Sequence, residues 1–331
     1  MKEKILLGEG SGGRLTSQLI AGITGRFGSA NGQRDGCEDC TFVDGDLAVT
    51  TDGFTVSPRF FPGGDMGHLA ICGATNDLAV RGVRPQWLTM GTIIEEGMDR
   101  EELFRLIESA AAECQALGVS LAAGDTKVVP HGACDGVFFT MTALGYSVVR
   151  HHLGMDRIEP GDALLLTTSP GRHGTVIAAL RYGLDTGELT SDCAALWPLL
   201  EPLLALEGLH CMRDCTRGGL GTVLCEWSEG SHLGMEIDEE KLQLNPSVEA
   251  VCDILGFDPL YLASEGCAII ACAPEAADEA LRLLHGHRLG TEAALIGRVT
   301  AEHPGVVGMN TALGGTRVID MPVGEILPRI C

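Results

Sequence analysis

The sequence predicts an α/β (α+β) protein with two domains. The chain has 331 residues, more than one hydrophobic core usually supports, because domains run at about 100 to 200 residues. Hydrophobic residues make up 45% and charged residues 21% of the chain, which is the composition of a globular protein. Strand-like and helix-like segments alternate in both halves, and this alternation is typical of α/β and α+β domains.

The first half contains four runs rich in Val, Thr and Ile, which predict strands. They cover residues 47–51, 87–94, 119–123 and 137–146. The clearest helix is predicted in "DREELFRLIESAAAECQALG", where Asp99 can cap the N-terminus, Glu102 stands three residues on and Gly118 can end the helix. A second helical run, "LAICGATNDLAV", is almost wholly apolar.

The second half begins at the turn made by Pro160 and Gly161. Its predicted elements are strands at 163–167, 267–272 and 294–299, and helices after Gly174, around 194–204 and after Gly219. Beyond about residue 308 the two prolines of "MPVGEILPRIC" exclude a continuous helix. We therefore expect a glycine-rich N-terminal segment (1–38), an N-terminal domain (39–154), a C-terminal domain (155–308) and an extended, flexible tail (309–331).

The net charge limits the partners of the protein. There are 23 Lys and Arg against 45 Asp and Glu, a formal charge of −22, whereas nucleic-acid binding requires clustered Lys and Arg. We therefore expect no nucleic-acid partner, and a nucleotide only where metal ions bridge carboxylates to phosphates. The first residues hold an apolar run of only three residues, 5–7, and no segment has transmembrane length. We expect a cytoplasmic protein without a membrane partner.

The 13 cysteines are spread over the whole chain, so in a reducing compartment most of them should be free, buried thiols. Cys37 with Cys40, and Cys211 with Cys215, could form the two halves of a zinc site. The long separation between the pairs argues against structural zinc, and whether Cys37 and Cys40 ever bind metal stays open.

The segment "GEGSGG" (8–13) matches the dinucleotide-binding pattern G-x-G-x-x-G. That fold requires an acidic residue about twenty residues later at the end of a second strand, but this region is polar and glycine-rich and has no strand pattern. A nicotinamide dehydrogenase is therefore disfavoured. Backbone N–H groups of such a loop can still bind phosphate, which makes Gly12 and Gly13 candidate nucleotide-binding residues.

Single aspartates recur near the ends of predicted elements. They are Asp39, Asp52, Asp77, Asp125 and Asp214. Each alone fits ordinary turn chemistry, but Asn76 and Asp77 lie in an apolar helical run, where an unpaired carboxylate is costly. Carboxylates gathered at one site repel each other unless cations neutralise them, which predicts a Mg²⁺-bridged triphosphate. Lys127 of "GDTK" is either a surface lysine or a phosphate-binding lysine, and Glu265 of "ASEG" is either a helix or turn carboxylate or a carboxylate base.

Seven motifs, taken together, point to a family. They are "GSGG", "TTDG", "FFPGGDMGHLAICGATNDLAVRG", "GDTKVV", "DCTRGGL", "SEG" and the final "PRIC". With these motifs the chain resembles the HypE family of hydrogenase maturation proteins, in the aminoimidazole ribonucleotide synthetase (PurM-like) superfamily, over residues 10–331. The resemblance implies a two-domain PurM-like fold whose N-terminal domain binds ATP and pairs into a barrel across a homodimer.

The resemblance also implies a reaction and its partners. A carbamoyltransferase, HypF, loads a carbamoyl group onto Cys331, the last residue, and the protein then uses ATP to dehydrate its own S-carboxamide to a thiocyanate. The cyanide passes to iron held by HypC and HypD, for a nickel-iron hydrogenase. Removing water from a carboxamide requires a better leaving group than hydroxide, and phosphorylation of the carbonyl oxygen by ATP supplies one.

By this similarity Glu265, oriented or assisted by Lys127, is the expected base, although the assignment between the two stays open. The residues expected to hold Mg²⁺ and ATP are Asp39, Asp52, Asp77 and Asp214, with Asn76, Gly12, Gly13 and the weaker candidate Asp125. A tail of about twenty residues would reach roughly 65 Å, which would let Cys331 visit HypF, the ATP site and the iron acceptor.

Two alternatives remain at this stage. The first is another ATP-using enzyme of the same superfamily, acting on a small molecule as in selenophosphate or purine-intermediate synthesis, and Cys331 at the end of the sequence argues against it. The second is a non-catalytic thiol or metal carrier, which would leave the aspartates and Lys127 without a role.

Overall fold

The computed structural model describes residues 4–10, 12–27 and 39–323. Its N-terminal domain is built on a five-stranded sheet, with a separate two-stranded hairpin. In chain order the strands are β1 (Thr41–Asp44), β2 (Leu47–Phe54), β3 (Phe60–Phe61), β4 (Gly64–Asp65), β5 (Val83–Glu95), β6 (Ser120–Val129) and β7 (Val137–Ser147). The order across the larger sheet is β1-β2-β7-β5-β6; β5 and β6 run parallel, and the other neighbours are antiparallel.

Three helices belong to this part of the chain: α1 (Gly13–Thr24), α2 (Met66–Ala79) and α3 (Arg100–Leu117). The side chain of Asp65 caps the N-terminus of α2, which lies against β2, β5 and β7. Because the sheet and the C-terminal domain both cover it, α2 is buried along almost its whole length. The Asp99 side chain accepts the Glu102 N–H at the start of α3, and Gly118 ends this helix in the left-handed region, as the sequence predicts.

The C-terminal domain is built on a seven-stranded sheet. Its strands are β8 (Ala163–Leu166), β9 (Leu209–Asp214), β10 (Gly234–Asp238), β11 (Ala268–Cys272), β12 (Ala294–Thr300), β13 (Val307–Asn310) and β14 (Thr316–Ile319), in the order β14-β13-β10-β12-β8-β11-β9. β10 and β13 run parallel, and the other neighbours are antiparallel. The helices are α4 (Arg172–Arg181), α5 (Trp197–Leu200), α6 (Gly219–Ser231), α7 (Pro246–Leu255) and α8 (Pro274–His285).

Short 3-10 helices connect these elements in both domains. They span Leu7–Gly10, Met155–Arg157, Glu201–Ala205, Glu239–Lys241, Pro259–Tyr261 and Arg288–Gly290. Among the helices that the structure describes, none combines the length and the apolar character needed to cross a bilayer.

The two domains share part of their hydrophobic core. One continuous cluster of buried side chains joins Leu69 and Ile71 of α2 to Ile177 of α4 and to Leu262. Two further clusters cover opposite faces of the seven-stranded sheet, because successive residues of a strand alternate between its faces. Helix α2 is therefore packed between the N-terminal sheet and the C-terminal domain. Its polar residues consequently lie at the boundary between the two domains.

Two predicted elements are wrong. The helix expected at 194–204 is interrupted, because Pro198 and Pro202 cannot donate the helical hydrogen bonds, and only α5 and a 3-10 turn form there. Residues 309–319, expected to belong to the tail, lie instead in the C-terminal domain, because β13 and β14 complete the second sheet and Ile319 is buried. The other predicted strands and helices are present, and the strand expected at 119–123 extends to Val129.

Candidate functional site

The candidate site is a cluster of carboxylates at the boundary between the domains. Asp77 comes from α2, Asp214 ends β9, and Asp39 lies just before β1. One carboxylate oxygen of each lies within 4.8 Å of those of the other two. The structure therefore brings together three of the residues that the sequence analysis selected as ligands.

Burial and mutual repulsion disfavour negative charge in this cluster. Burial raises the pKa of Asp39 to about 6, against the opposing effect of the Arg213 guanidinium. Burial first, and neighbouring carboxylates second, raise the pKa values of Asp77 and Asp214 well above their usual range. In the described part of the chain, Asp39 Oδ2 and Asp214 Oδ2 are buried without a hydrogen-bond partner, while Asp77 Oδ2 accepts from the Thr50 hydroxyl at 2.6 Å.

Two arginines, which the sequence analysis missed, border the cluster. Arg213 Nε donates to Asp39 Oδ1 at 2.9 Å, and another nitrogen of the same guanidinium lies 2.8 Å from Glu226. Arg217 Nη2 lies 3.9 Å from Oδ1 of Asp52, which stands on β2. The predicted ligand Asp52 therefore faces the same site. The segment "RDCTR" could have indicated these two arginines, because they stand on both sides of the predicted ligand Asp214 in the sequence.

Glu265 lies next to the carboxylate cluster and is 3% exposed. Burial first, then the charges of Asp214 and Asp192, raise its pKa well above the usual range of a glutamate. Its Oε1 is buried and has no hydrogen-bond partner among the described residues. The Asp192 carboxylate accepts the backbone N–H groups of Glu265 and Gly266 at 3.3 and 3.2 Å, so Asp192, which the sequence analysis also missed, holds this loop in place.

Asn76 joins the two domains through its side-chain amide. Its Nδ2 donates to the carbonyl oxygens of Ala194 and Glu265 at 3.0 and 3.3 Å, and its Oδ1 accepts the Leu196 N–H at 2.7 Å. The residue is 1% exposed. These hydrogen bonds give Asn76 a positioning role between the domains, while the binding of a nucleotide by Asn76 stays a prediction.

Gly12 and Gly13 lie beside the loop that follows β9. A Cβ on Gly12, whose φ is 90°, would lie 3.2 Å from the backbone carbon of Arg217. Gly13 begins α1, and a Cβ there would lie 2.5 Å from the carbonyl oxygen of Pro322. These close approaches require glycine and place the start of α1 near the carboxylate cluster, while the binding of a nucleotide by Gly12 and Gly13 stays a prediction.

Asp125 and Lys127 lie on β6, an exposed strand at the edge of the five-stranded sheet. Lys127 Nζ pairs with Asp125 at 2.8 Å. Within residues 39–323, Lys127 makes no ion pair with Glu265 and is not among the main charges that shift the pKa of Glu265. A single chain does not bring this predicted pair of catalytic residues together.

The end of the described chain is anchored near the same place. The Tyr261 hydroxyl donates to the Asp320 carbonyl at 2.8 Å, and the Arg14 N–H donates to the Pro322 carbonyl at 3.2 Å. Cys331, the predicted carrier of the carbamoyl group, lies outside the described residues.

The two cysteine pairs considered for zinc do not form a site in the part of the chain that the structure describes. Cys40, Cys211 and Cys215 are buried free thiols there. None of the three belongs to a described group of three possible metal ligands. Cys37 lies outside the described residues.

The carboxylate cluster fits a hard divalent cation. Buried oxygens without hydrogen-bond partners are costly unless a cation compensates them, and carboxylate oxygens are the ligands that Mg²⁺ prefers. Asp39, Asp77 and Asp214 could hold such an ion, with Asp52 beside them. An ion at this position can bridge the carboxylates to the phosphates of a nucleotide.

Two family models match the two halves of the chain. The N-terminal domain of AIR synthase related proteins matches residues 37–147, and the C-terminal domain matches residues 159–310. The chain is 41% identical over 335 residues to the carbamoyl dehydratase HypE of Rhodobacter capsulatus, covering 99% of this chain and 98% of that protein. It is 42% identical over 337 residues to the HypE of Escherichia coli K12, covering 99% of each.

Solved structures agree with these matches. A HypE in complex with ATP superimposes with a TM-score of 0.83 at 40% identity, covering 99% of this chain and 100% of that one. The structure of a HypE–HypF complex gives a TM-score of 0.87 at 37% identity, covering 94% of this chain and 100% of that one. A thiamine monophosphate kinase of Aquifex aeolicus shares the fold alone, with a TM-score of 0.66 at 16% identity over 92% of this chain and 99% of that one.

Proposed function

Because the chain belongs to the HypE family of AIR synthase related proteins, we propose that it is an ATP-dependent carbamoyl dehydratase. Its substrate is an S-carboxamide on its own Cys331, which it converts to a thiocyanate. The observation that carries the proposal is the buried Glu265 beside the unpartnered carboxylate oxygens of Asp39 and Asp214. This arrangement combines a proton acceptor with a site for a cation and its triphosphate.

In the proposed reaction ATP phosphorylates the carboxamide oxygen. Asp39, Asp77 and Asp214 would hold a Mg²⁺ ion, which would neutralise negative charge on the triphosphate. The oxygen leaves with the phosphate and the amide nitrogen loses both protons, so the S-carboxamide becomes S–C≡N. Glu265 accepts one of these protons, and the departing phosphate takes the other as hydrogen phosphate. The raised pKa of Glu265 makes its ionised carboxylate a stronger proton acceptor. Asp192 holds the backbone of Glu265 during this step.

The anchored end of the described chain supports the proposal that Cys331 reaches the carboxylate cluster of its own chain. Pro322 is held against the start of α1, beside the loop that carries Arg217. From Pro322, Cys331 can lie at most about 30 Å away, since an extended residue spans at most about 3.3 to 3.6 Å. This reach is about half of the 65 Å expected from a longer tail. It is long enough to bring Cys331 to the adjacent carboxylate cluster.

Lys127 takes part in this proposal through a homodimer. It stands on β6, where all residues but the last are exposed, including the apolar Leu121 and Val128 at 58% and 67%. A second copy of the N-terminal domain would cover this edge strand and close the sheets into a barrel. The proposed assistance of Glu265 by Lys127 therefore depends on the dimer.

Three partners follow from the proposed reaction. A HypF carbamoyltransferase supplies the carbamoyl group, as expected from the relative that is solved in complex with HypF. An iron-carrying complex of HypC and HypD accepts the cyanide for a nickel-iron hydrogenase. The thiol of Cys331 would meet each of these partners outside the carboxylate cluster.

The intact mass of the protein tests the proposal. Full-length protein is incubated with HypF, carbamoyl phosphate and ATP. We expect the gain of one carbamoyl group, followed by the loss of one water only with hydrolysable ATP. Cys331→Ala should show neither change. Glu265→Gln should gain the carbamoyl group and keep it, while Glu279→Gln, on the exposed face of α8, should behave as the wild type.

Two outcomes would contradict the proposal. Normal loss of water by Glu265→Gln would remove the role of Glu265 as the base. ATP turnover with a small-molecule substrate, unchanged in Cys331→Ala, would indicate a different enzyme of the superfamily.

A further inference from the structure

A second group of possible metal ligands lies at the boundary between the domains. His68 and Cys72 stand four residues apart on α2 and therefore on one side of this helix. Cys193 comes from the loop that precedes α5 in the C-terminal domain. One ligand atom of each lies within 4.8 Å of those of the other two, and both cysteines are free, buried thiols. We refer to these three residues as the His-Cys-Cys group.

The spacing of the His-Cys-Cys group suits a tetrahedral ion. Zinc bonds of about 2.0 to 2.3 Å to nitrogen, oxygen and sulfur place the ligand atoms of a tetrahedron about 3.3 to 3.8 Å apart. The group reaches this spacing with a small contraction. His68 Nε2 and Glu113 Oε2 are already 3.4 Å apart, which is the separation expected for two ligands of one such ion.

The donor atoms select the kind of metal. Thiolates and imidazole favour zinc and similar ions, whereas the oxygens of the carboxylate cluster favour Mg²⁺. The Cys193 N–H donates to the Ser191 hydroxyl at 3.1 Å, which fixes the loop that presents this thiol. A cavity of about 550 Å³, lined in part by His68, Glu113 and Cys193, provides an entry path for an ion.

We propose that His68, Cys72 and Cys193 bind one zinc ion per chain, with Glu113 rotating to supply the fourth ligand. The ion would join α2 of the N-terminal domain to the segment of the C-terminal domain that holds the backbone of Glu265. Binding releases the two thiol protons, so the affinity for zinc rises with pH. The site shares no residue with the carboxylate cluster and does not depend on the dehydratase reaction.

Cobalt, which takes the place of zinc in thiolate sites, tests this proposal by absorption. Reduced, chelator-treated full-length protein is titrated with Co²⁺ in excess Mg²⁺, so that Mg²⁺ occupies the carboxylate cluster. We expect thiolate-to-cobalt charge-transfer absorption that saturates at one equivalent per chain and disappears when Zn²⁺ is added. The readout is spectroscopic and is independent of enzymatic activity.

Variants connect the absorption to the three residues. Cys72→Ser and Cys193→Ser should lose charge-transfer intensity and bind Zn²⁺ at least about tenfold more weakly. Since Cys72 is fully buried and its replacement risks misfolding, His68→Gln at a partly exposed position is a second test, with an expected loss of about tenfold. The matched control is Cys252→Ser, a buried thiol of the same core outside the group. It should keep the full absorption, as should Cys331→Ala.

Three results would overturn the zinc proposal. One is the absence of charge-transfer absorption in the wild type. Another is its persistence in Cys72→Ser and Cys193→Ser. The third is an equal loss in Cys252→Ser, which would reveal a general effect of disturbing the core.

Discussion

Replacing Asp39 by Asn should stabilise the metal-free protein above neutral pH. Burial raises the pKa of Asp39 from 3.8 to about 6, so the folded protein holds this proton more tightly than the unfolded chain. At 1.36 kcal/mol per pH unit, the difference corresponds to about 3 kcal/mol. The wild type has this contribution to its free energy of unfolding in full below about pH 4. It loses the contribution as the pH rises through about 6, where the Asp39 carboxyl of the folded protein ionises. The neutral amide avoids this loss.

The expected gain in the free energy of unfolding already accounts for the loss of the ion pair between Asp39 and Arg213. The reason is that the Arg213 guanidinium is among the groups that set the pKa of Asp39. Arg213 also keeps its contact with Glu226 at 2.8 Å. We therefore expect Asp39→Asn to be up to about 3 kcal/mol more stable than the wild type at about pH 8, and equally stable below about pH 4.

Urea unfolding in the presence of a chelator, at these two pH values, measures the difference in the free energy of unfolding. The matched control is Asp44→Asn, an exposed aspartate at the end of β1, which should change the free energy little at either pH. Added Mg²⁺ should stabilise the wild type at about pH 8 more than it stabilises Asp39→Asn, since the variant lacks one ligand. A variant less stable than the wild type at about pH 8 without metal would refute the reasoning that a buried, uncompensated charge destabilises this site.

Two further substitutions test the surroundings of the site. Asn76→Ala should lower the free energy of unfolding in urea by about 1 to 3 kcal/mol, because the buried Leu196 N–H loses its acceptor. The exposed Asn310→Ala should cost little, and an equal loss in both variants would contradict this. Gly12→Ala should weaken ATP binding about tenfold in calorimetry, since its Cβ would meet backbone at 3.2 Å. Gly97→Ala, with a φ of 96° and open space around the new Cβ, is the control and should bind ATP normally.

Local signals in the sequence are sufficient to predict part of the candidate site and of the fold. Asp77 stands out because an aspartate in an apolar helix needs a partner, and α2 is indeed buried around it. The caps of α3 are equally local, since Asp99 and Gly118 act within a few residues of the helix ends.

Other features depend on contacts between distant segments. Asp192 follows an irregular stretch, and only the folded chain shows that it accepts the N–H groups of Glu265 and Gly266. The strands β13 and β14 lie in a glycine-rich region with weak strand propensity, and their conformation depends on the pairing of β13 with β10 and of β14 with β13. The exposed position of Lys127 is also a property of the sheet, because strand order places β6 at the edge.

The shared core around α2 has a consequence for how the protein can be divided. The family models separate the chain between residues 147 and 159, but Leu69 and Ile71 pack in one cluster with Ile177 and Leu262 from the other side of that border. A fragment that stops at this border would expose the covered side of α2 to water. We therefore expect the two halves to form one cooperative unit that melts in a single transition.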